Sequence, residues 1–242
     1  MSLSTKDVRV GVILAAGLGT RMRPLTYIMP KPMLPLGTKP ILQHIIEWMR
    51  DNGIEEIYVL TSYLSKFIES YFGDGSEFGI RIKYIRSDRP LGSGGQLKIA
   101  EPYVHETFIL SYCDVVTNLN LRDVIDFHFR KGAVVTMVLT RYKEKLRFGH
   151  IVLNEDMKVI EWREKPEIEM LINTGIYVFE PLIFKYINDG EVVGMDEVVT
   201  RVMKDSGRVY GYIADDAEFI DIGDYDSYIR ACDEYIKKFG RI

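Results

Sequence analysis

Cysteine is scarce: Cys113 and Cys232 are the two in the chain, far apart in sequence. That is too few for a disulfide framework or a cysteine zinc site, and a reducing cytoplasm is the simplest setting. No stretch reaches the roughly 18 consecutive apolar residues of a membrane span, so no membrane partner is expected. Residues 1–7 lack the apolar region of a secretory leader. A basic excess is missing too: 31 Lys plus Arg face 35 Asp plus Glu, a net charge of −4. This argues against a general nucleic-acid binder, which must displace counterions from phosphate, but leaves room for a locally basic pocket. The histidines, His44, His105, His128 and His150, show no metal-ligand grouping. No Pro/Ser linker, low-complexity tract or internal repeat is found, so residues 1–242 read as one continuous domain.

Material for a buried core is plentiful, with 47% hydrophobic and 12% aromatic residues, which excludes disorder. The β-branched run 8–14 predicts a buried central strand feeding a tight loop. Apolar residues at 41, 42, 45, 46, 48 and 49 predict a helix over 41–52, with Pro40 in its first turn and Gly53 at its stop. Strands are expected over 56–61, 80–85 and 107–112, and helices over 63–72 and 96–102. This βαβαβαβ alternation predicts an α/β, Rossmann-like, mostly parallel sheet with helices on both faces, in which strand ends carry the chemistry. After a helix over 121–131 the pattern becomes sheet-rich. Strands are expected over 134–140, 150–153, 159–162 and 172–179, with a hairpin turn at Asn154-Glu155-Asp156-Met157. Helices return over 181–188, 195–204 and 225–237.

Leu14 ends the first strand and leads into Ala15-Ala16-Gly17-Leu18-Gly19-Thr20-Arg21-Met22, the usual place for a phosphate in an open α/β sheet. Gly17, Gly19 and the small alanines let backbone N–H groups approach an anion; Thr20 adds a hydroxyl and Arg21 a planar cationic fork. The third glycine of a dinucleotide fingerprint is absent, which weakens a nicotinamide oxidoreductase, and no Walker Gly-Lys-Ser/Thr follows. A ligand-free tight turn is the competing reading. In Pro30-Lys31-Pro32-Met33-Leu34-Pro35-Leu36, the prolines predict an extended segment that cannot serve a helix and that presents Lys31 from a stiff support.

LAAGLGTRMRPLT followed by PKPMLPLGTKPIL resembles the N-terminal signature of the sugar-1-phosphate nucleotidyltransferases, the nucleoside-diphosphate-sugar pyrophosphorylases. FGDGSEFGIRIKY, PLGSGGQL, the Asp114 segment, FGHIVLNEDMKVIEWREKP, INTGIYVFEP and FIDIGDYDSY follow in that family's order. The resemblance implies a Mg²⁺-dependent reaction in which a sugar-1-phosphate oxygen attacks the α-phosphorus of an NTP and pyrophosphate leaves. The attacking phosphate is already ionised near neutral pH, so no proton-abstracting base is needed. What the site must do is hold two polyanions in line.

By the same resemblance Asp114 and Asp221 match the Mg²⁺ ligands, and oxygen-only ligation suits that hard ion. Read alone, each is a common cap or turn residue. Lys165 matches the sugar-phosphate lysine, with Glu164 as a partner of sugar hydroxyls and Asn173, Thr174 and Gly175 as the segment contacting the sugar, in a sugar-binding second half. Arg21 and Lys31 screen the triphosphate. Gly92, Ser93, Gly94 and Gln96 fall in the base-binding loop, whose glycines let the backbone meet a nucleobase edge. Cys113 stands where the family usually has glycine, and Phe219 where tryptophan is frequent.

Mannose-1-phosphate guanylyl transfer, with GTP, is the first choice of specificity. Glucose-1-phosphate thymidylyl or uridylyl transfer and heptose-1-phosphate guanylyl transfer use closely similar motifs. A non-catalytic nucleotide-sugar-binding paralogue is the competing class, motivated by Cys113. The 242 residues leave no room for the left-handed β-helix domain of longer relatives, so acetyl transfer is not expected. A homo-oligomer is left open.

Overall fold

The computed structural model describes residues 7–62 and 64–239. The leader reading of residues 1–6 and the start of the helix expected at residue 63 lie outside them.

Strand β1, Val10–Leu14, is buried at every position. Its period of two divides it between two cores: Val10, Val12 and Leu14 join one and Ile13 the other. A Cβ on Gly11 would stand 2.9 Å from Met49 Sδ, so glycine lets the next helix lie close. The short pair β2 (Pro35–Leu36) and β3 (Lys39–Pro40) leads into α1 (Ile41–Asp51), which follows the predicted spacing. Then come β4 (Glu56–Thr61), α2 (Ser65–Phe72), β5 (Arg81–Arg86), α3 (Gly92–Lys98), β6 (Phe108–Tyr112), β7 (Val115–Thr117) and α4 (Leu121–Lys131). Asn120 caps α4 by accepting from the Arg122 N–H at 3.0 Å. The second half contains β8 (Val135–Lys145), β9 (His150–Leu153), β10 (Val159–Arg163), β11 (Glu167–Phe179), α5 (Met195–Asp205), β12 (Val209–Ile213), β13 (Phe219–Asp221) and α6 (Tyr225–Phe239).

The fold is α/β and Rossmann-like. Seven strands form the main sheet in the order β12-β8-β11-β6-β1-β4-β5. Strand β1 runs parallel to β4 and β6, β4 to β5, and β8 to β12, whereas β11 is antiparallel to both of its neighbours. Helices α1, α2, α4 and α6 cover one face, and α3 and α5 the other. The C-terminal ends of β1, β4, β5 and β6 therefore open at one edge. The Asn154 turn forms as predicted: its side chain accepts from the N–H groups of Asp156 and Lys158.

Several expectations need correction. Helix α3 starts at Gly92 rather than 96, because the Gly94 and Gly95 N–H groups both reach Val193 O, at 3.0 and 3.3 Å. Tertiary contact, rather than propensity, begins this glycine-rich helix. The proline segment is not wholly extended: Lys31–Met33 forms a 3-10 turn with Pro32 in its first positions, where a proline loses no helical hydrogen bond. The stretch expected as a helix over 181–188 is a 3-10 helix, Pro181–Tyr186. The strand expected over 134–140 runs on to Lys145, and the one over 172–179 begins at Glu167, because the two pair with each other beyond the core. Strands β2, β3, β7, β12 and β13 were not foreseen.

Candidate active site

Four strand ends surround a cavity of about 640 Å³. Its floor is the loop after β1. Gly19 adopts φ 60°, and a Cβ there would meet Thr26 Cγ2 at 2.9 Å. Thr26 also donates to Gly19 O at 2.8 Å, so the turn is pinned from below. Ser62, at the end of β4, donates to Ala16 O at 2.7 Å. Leu14, Ala16, Gly17, Gly19, Thr20, Arg21, Lys31, Gly92, Ser93, Gln96 and Asp114 all line the cavity. Ala15 is buried just behind it, its N–H donating to Leu60 O at 2.8 Å.

The walls carry Arg21, Lys31, Arg86 and Arg89 against Asp88 and Asp114. A chain of net charge −4 thus holds a locally cationic pocket suited to a polyanion. Arg86, Ser87, Asp88 and Arg89 were missed in the sequence. Arg86 ends β5 and the other three directly follow it, so the rule that parallel strand ends carry the site would have found them. Tyr112, another wall residue, ends β6 by the same rule.

Lys31 is buried, with 7% exposure, and its Nζ lies 2.7 Å from Asp114 Oδ2 and 3.5 Å from Gly223 O. The cation expected to screen phosphates is therefore also the partner of the candidate metal carboxylate. Asp114 follows β6, and Asp221 ends β13. The antiparallel pairing of β13 with β7 sets Asp221 opposite Val115, and the Ile222 N–H donates to Asp114 O at 2.8 Å. Carboxylates 107 positions apart, from 221 − 114, are thereby brought together. Burial by surrounding protein raises the Asp221 carboxyl, although the side chain keeps an exposed side, and the adjacent Asp114 charge raises it further. The Gly223 N–H and Lys31 oppose this. Burial, with Asp114 beside it, pushes the Cys113 thiol up to about 12, so it stays protonated near neutrality.

The sugar-side residues fall into two groups. Asn173, Thr174 and Gly175 form an irregularity in the pairing of β11 with β8. Asn173 accepts from the Gly175 N–H at 3.1 Å and donates to the Tyr177 hydroxyl. Gly175 has φ 79°, and a Cβ there would stand 3.2 Å from Cγ of Tyr112, whose ring is itself a cavity wall. Thr174 is buried and donates to Val138 O at 2.9 Å, so its hydroxyl serves the fold. None of Asn173, Thr174 and Gly175 lines the cavity, and neither do Glu164 and Lys165, which lie farther along on the exposed connection between β10 and β11; Glu164 accepts from Trp162 Nε1 at 3.3 Å, and Lys165 has φ 45°. Gly94 also stands outside the lining, and a Cβ there would be 2.6 Å from Val198 Cγ2. That glycine lets α3 pack on α5.

The nucleotidyl transferase family profile matches residues 10–238. The chain belongs to that family. It is 35% identical over 238 residues to a UTP–glucose-1-phosphate uridylyltransferase of Synechocystis sp., covering 91% of this chain and 61% of that protein. It is 34% identical to a mannose-1-phosphate guanylyltransferase of Mycobacterium tuberculosis, covering 93% and 64%. It is also 34% identical to a D-glycero-alpha-D-manno-heptose 1-phosphate guanylyltransferase of Aneurinibacillus thermoaerophilus, covering 91% and 95%. The chain thus spans less than two thirds of the first two relatives. Among solved structures, HddC from Yersinia pseudotuberculosis superposes with a TM-score of 0.74 at 26% identity, covering 94% of this chain and 100% of that one. No helix among the described residues is long and apolar enough to cross a membrane.

Proposed function

We propose that this protein transfers a nucleotidyl group from an NTP to a sugar 1-phosphate, releasing pyrophosphate. The observation that carries the reading is the meeting of Asp114, Asp221 and Lys31 beside a cationic cavity floored by the glycine loop. A phosphate oxygen of the sugar phosphate forms a bond to the α-phosphorus as the bond to the pyrophosphate oxygen breaks. No proton need be removed from an ionised phosphate, so the residues act by placement and charge.

Arg21 and Lys31 hold the triphosphate, and Leu14, Ala15, Ala16, Gly17, Gly19 and Thr20 shape its floor. Asn173, Gly175 and the backbone of Thr174 face the sugar. Lys165 and Glu164 reach it from the β10–β11 connection. Asp114 and Asp221 would hold Mg²⁺. Their fit is supported by the donor set: burial first, and then the Asp114 charge, raise the Asp221 carboxyl, and a hard cation between the two carboxylates would relieve that repulsion. Among the described residues no third His, Cys, Asp or Glu joins them, so phosphate and water oxygens would complete the shell. When bound, the ion supplies charge neutralisation at the reacting phosphates.

The relatives at 34–35% identity differ in both base and sugar, so mannose with GTP has no advantage over glucose with UTP or heptose with GTP. Pyrophosphate release with Mg²⁺, over a matrix of NTPs and hexose and heptose 1-phosphates, decides among them. Turnover with none of them favours a nucleotide-sugar-binding paralogue.

A further inference from the structure

Lys31 would serve the triphosphate, and Asp114 and Asp221 a divalent ion, yet the Lys31 ammonium is directed at the acids. It donates to Asp114 Oδ2 at 2.7 Å and to Gly223 O at 3.5 Å, two positions beyond Asp221. It also offsets part of the burial and Asp114 repulsion that raise the Asp221 carboxyl. Both side chains of the Lys31–Asp114 pair are mostly buried, so water and salt screen it little. The backbone beneath Lys31 is held firmly. The Met33 N–H donates to Pro30 O at 2.8 Å and the Leu34 N–H to Lys31 O at 3.1 Å, with Pro30 and Pro32 on either side. A change of partner is therefore a rotation of the Lys31 side chain alone, a point charge on a flexible four-carbon stem.

Mg²⁺ sits about 2.1 Å from a carboxylate oxygen, so an ion sharing Oδ2 with Lys31 would lie within about 5 Å of Nζ, where two poorly screened cations repel strongly. We infer that Lys31 is the built-in counter-ion of the two acids, and that a divalent ion gains Asp114 in full only as a triphosphate draws the ammonium away. Arg21 and the glycine loop line the same cavity and bring the polyanion within reach of Lys31. Each contact that Lys31 makes with phosphate is one it withdraws from Asp114. Linkage makes the coupling reciprocal: the triphosphate tightens the ion, and the ion, by taking over Asp114, releases Lys31 to the triphosphate. Cation and nucleotide thus assemble the site together, and neither does so alone. This inference rests on the nucleotidyl-transfer reading and deepens it.

Two equilibrium titrations test this without turnover: Mn²⁺ into protein alone, followed by loss of the free-ion paramagnetic resonance signal, and inorganic tripolyphosphate into protein in EDTA, followed by calorimetry. Lys31→Met is expected to bind Mn²⁺ about tenfold or more tighter than the wild type, and the gain should vanish in the double variant Lys31→Met, Asp114→Asn. Arg21→Met removes another cation from the same cavity and is expected to change Mn²⁺ affinity by less than about threefold, which separates the contact from net charge. In the reverse direction, Asp114→Asn frees Lys31 and is expected to bind metal-free tripolyphosphate about tenfold tighter than the wild type. Asp88→Asn neutralises another cavity carboxylate and should change that affinity by less than about threefold. The tripolyphosphate titration serves should Lys31→Met fail to fold. A Mn²⁺ gain no larger in Lys31→Met than in Arg21→Met, or a tripolyphosphate gain no larger in Asp114→Asn than in Asp88→Asn, overturns the exchange and leaves nucleotidyl transfer standing. Failure of every one of these proteins to bind tripolyphosphate, with or without Mn²⁺, overturns both.

Discussion

Lys31 and Asp114 are 83 positions apart in sequence and 2.7 Å apart in space, so the charge of each shapes the work of the other. Asp114→Asn keeps the shape and removes the charge. It is expected to lower the rate of pyrophosphate release by about a hundredfold or more, as loss of a preorganised electrostatic group does. Asp221→Asn is expected to act similarly. Because neutralising Asp221 also removes its repulsion with Asp114, its melting temperature should match or exceed that of the wild type, measured by circular dichroism. Lys165→Ala should raise KM for the sugar phosphate more than KM for the NTP; equal kinetics for both substrates would contradict its proposed place. Gly19 and Gly175 matter for a different reason. Both sit at positive φ, where a side chain is strained, and both approach a neighbour too closely for a Cβ to be free of contact.

The seating of α3 against the segment before α5 fixes one wall of the cavity. Gly92 has φ 71° and is in close contact with Val193. Gly92→Ala is therefore expected to cost about 1–3 kcal/mol of unfolding free energy, read by urea denaturation. The same segment is clamped by Arg201, whose guanidinium meets Glu191 at 2.6 and 3.0 Å and Glu197 at 2.6 Å. Arg201 holds the Glu191 carboxyl down to about 2, with the Asn188 N–H assisting. A carboxyl lowered on folding stabilises the fold above its ordinary value near 4.5, and the contribution is lost as pH falls from there to about 2. Glu191→Gln should thus melt below the wild type at pH 7 and together with it near pH 2. An equal difference at both pH values would contradict the clamp. The pair is only partly buried, so the effect is modest and weakens with added salt.

Across the whole molecule, what could be read from the sequence follows what is local. The five buried residues of β1 and the helical spacing of α1 and α4 reflect periodicity, and the elements stand where it puts them. Strands β7 and β13, three residues each, have too few positions for a period to show. Yet their pairing is what joins Asp114 to Asp221, which family resemblance suggested and residue pattern alone did not. The start of α3 and the Lys31–Asp114 contact were likewise hidden, since both depend on partners 83 to 102 positions away. The cationic wall after β5 was within reach of the strand-end rule. The most direct test of the central claim is pyrophosphate release from wild-type protein given Mg²⁺, an NTP and a sugar 1-phosphate, across the base and sugar matrix. Equimolar pyrophosphate and nucleoside-diphosphate sugar, formed only when both substrates are present, is the expected result. Triphosphate binding without product from any combination would contradict it.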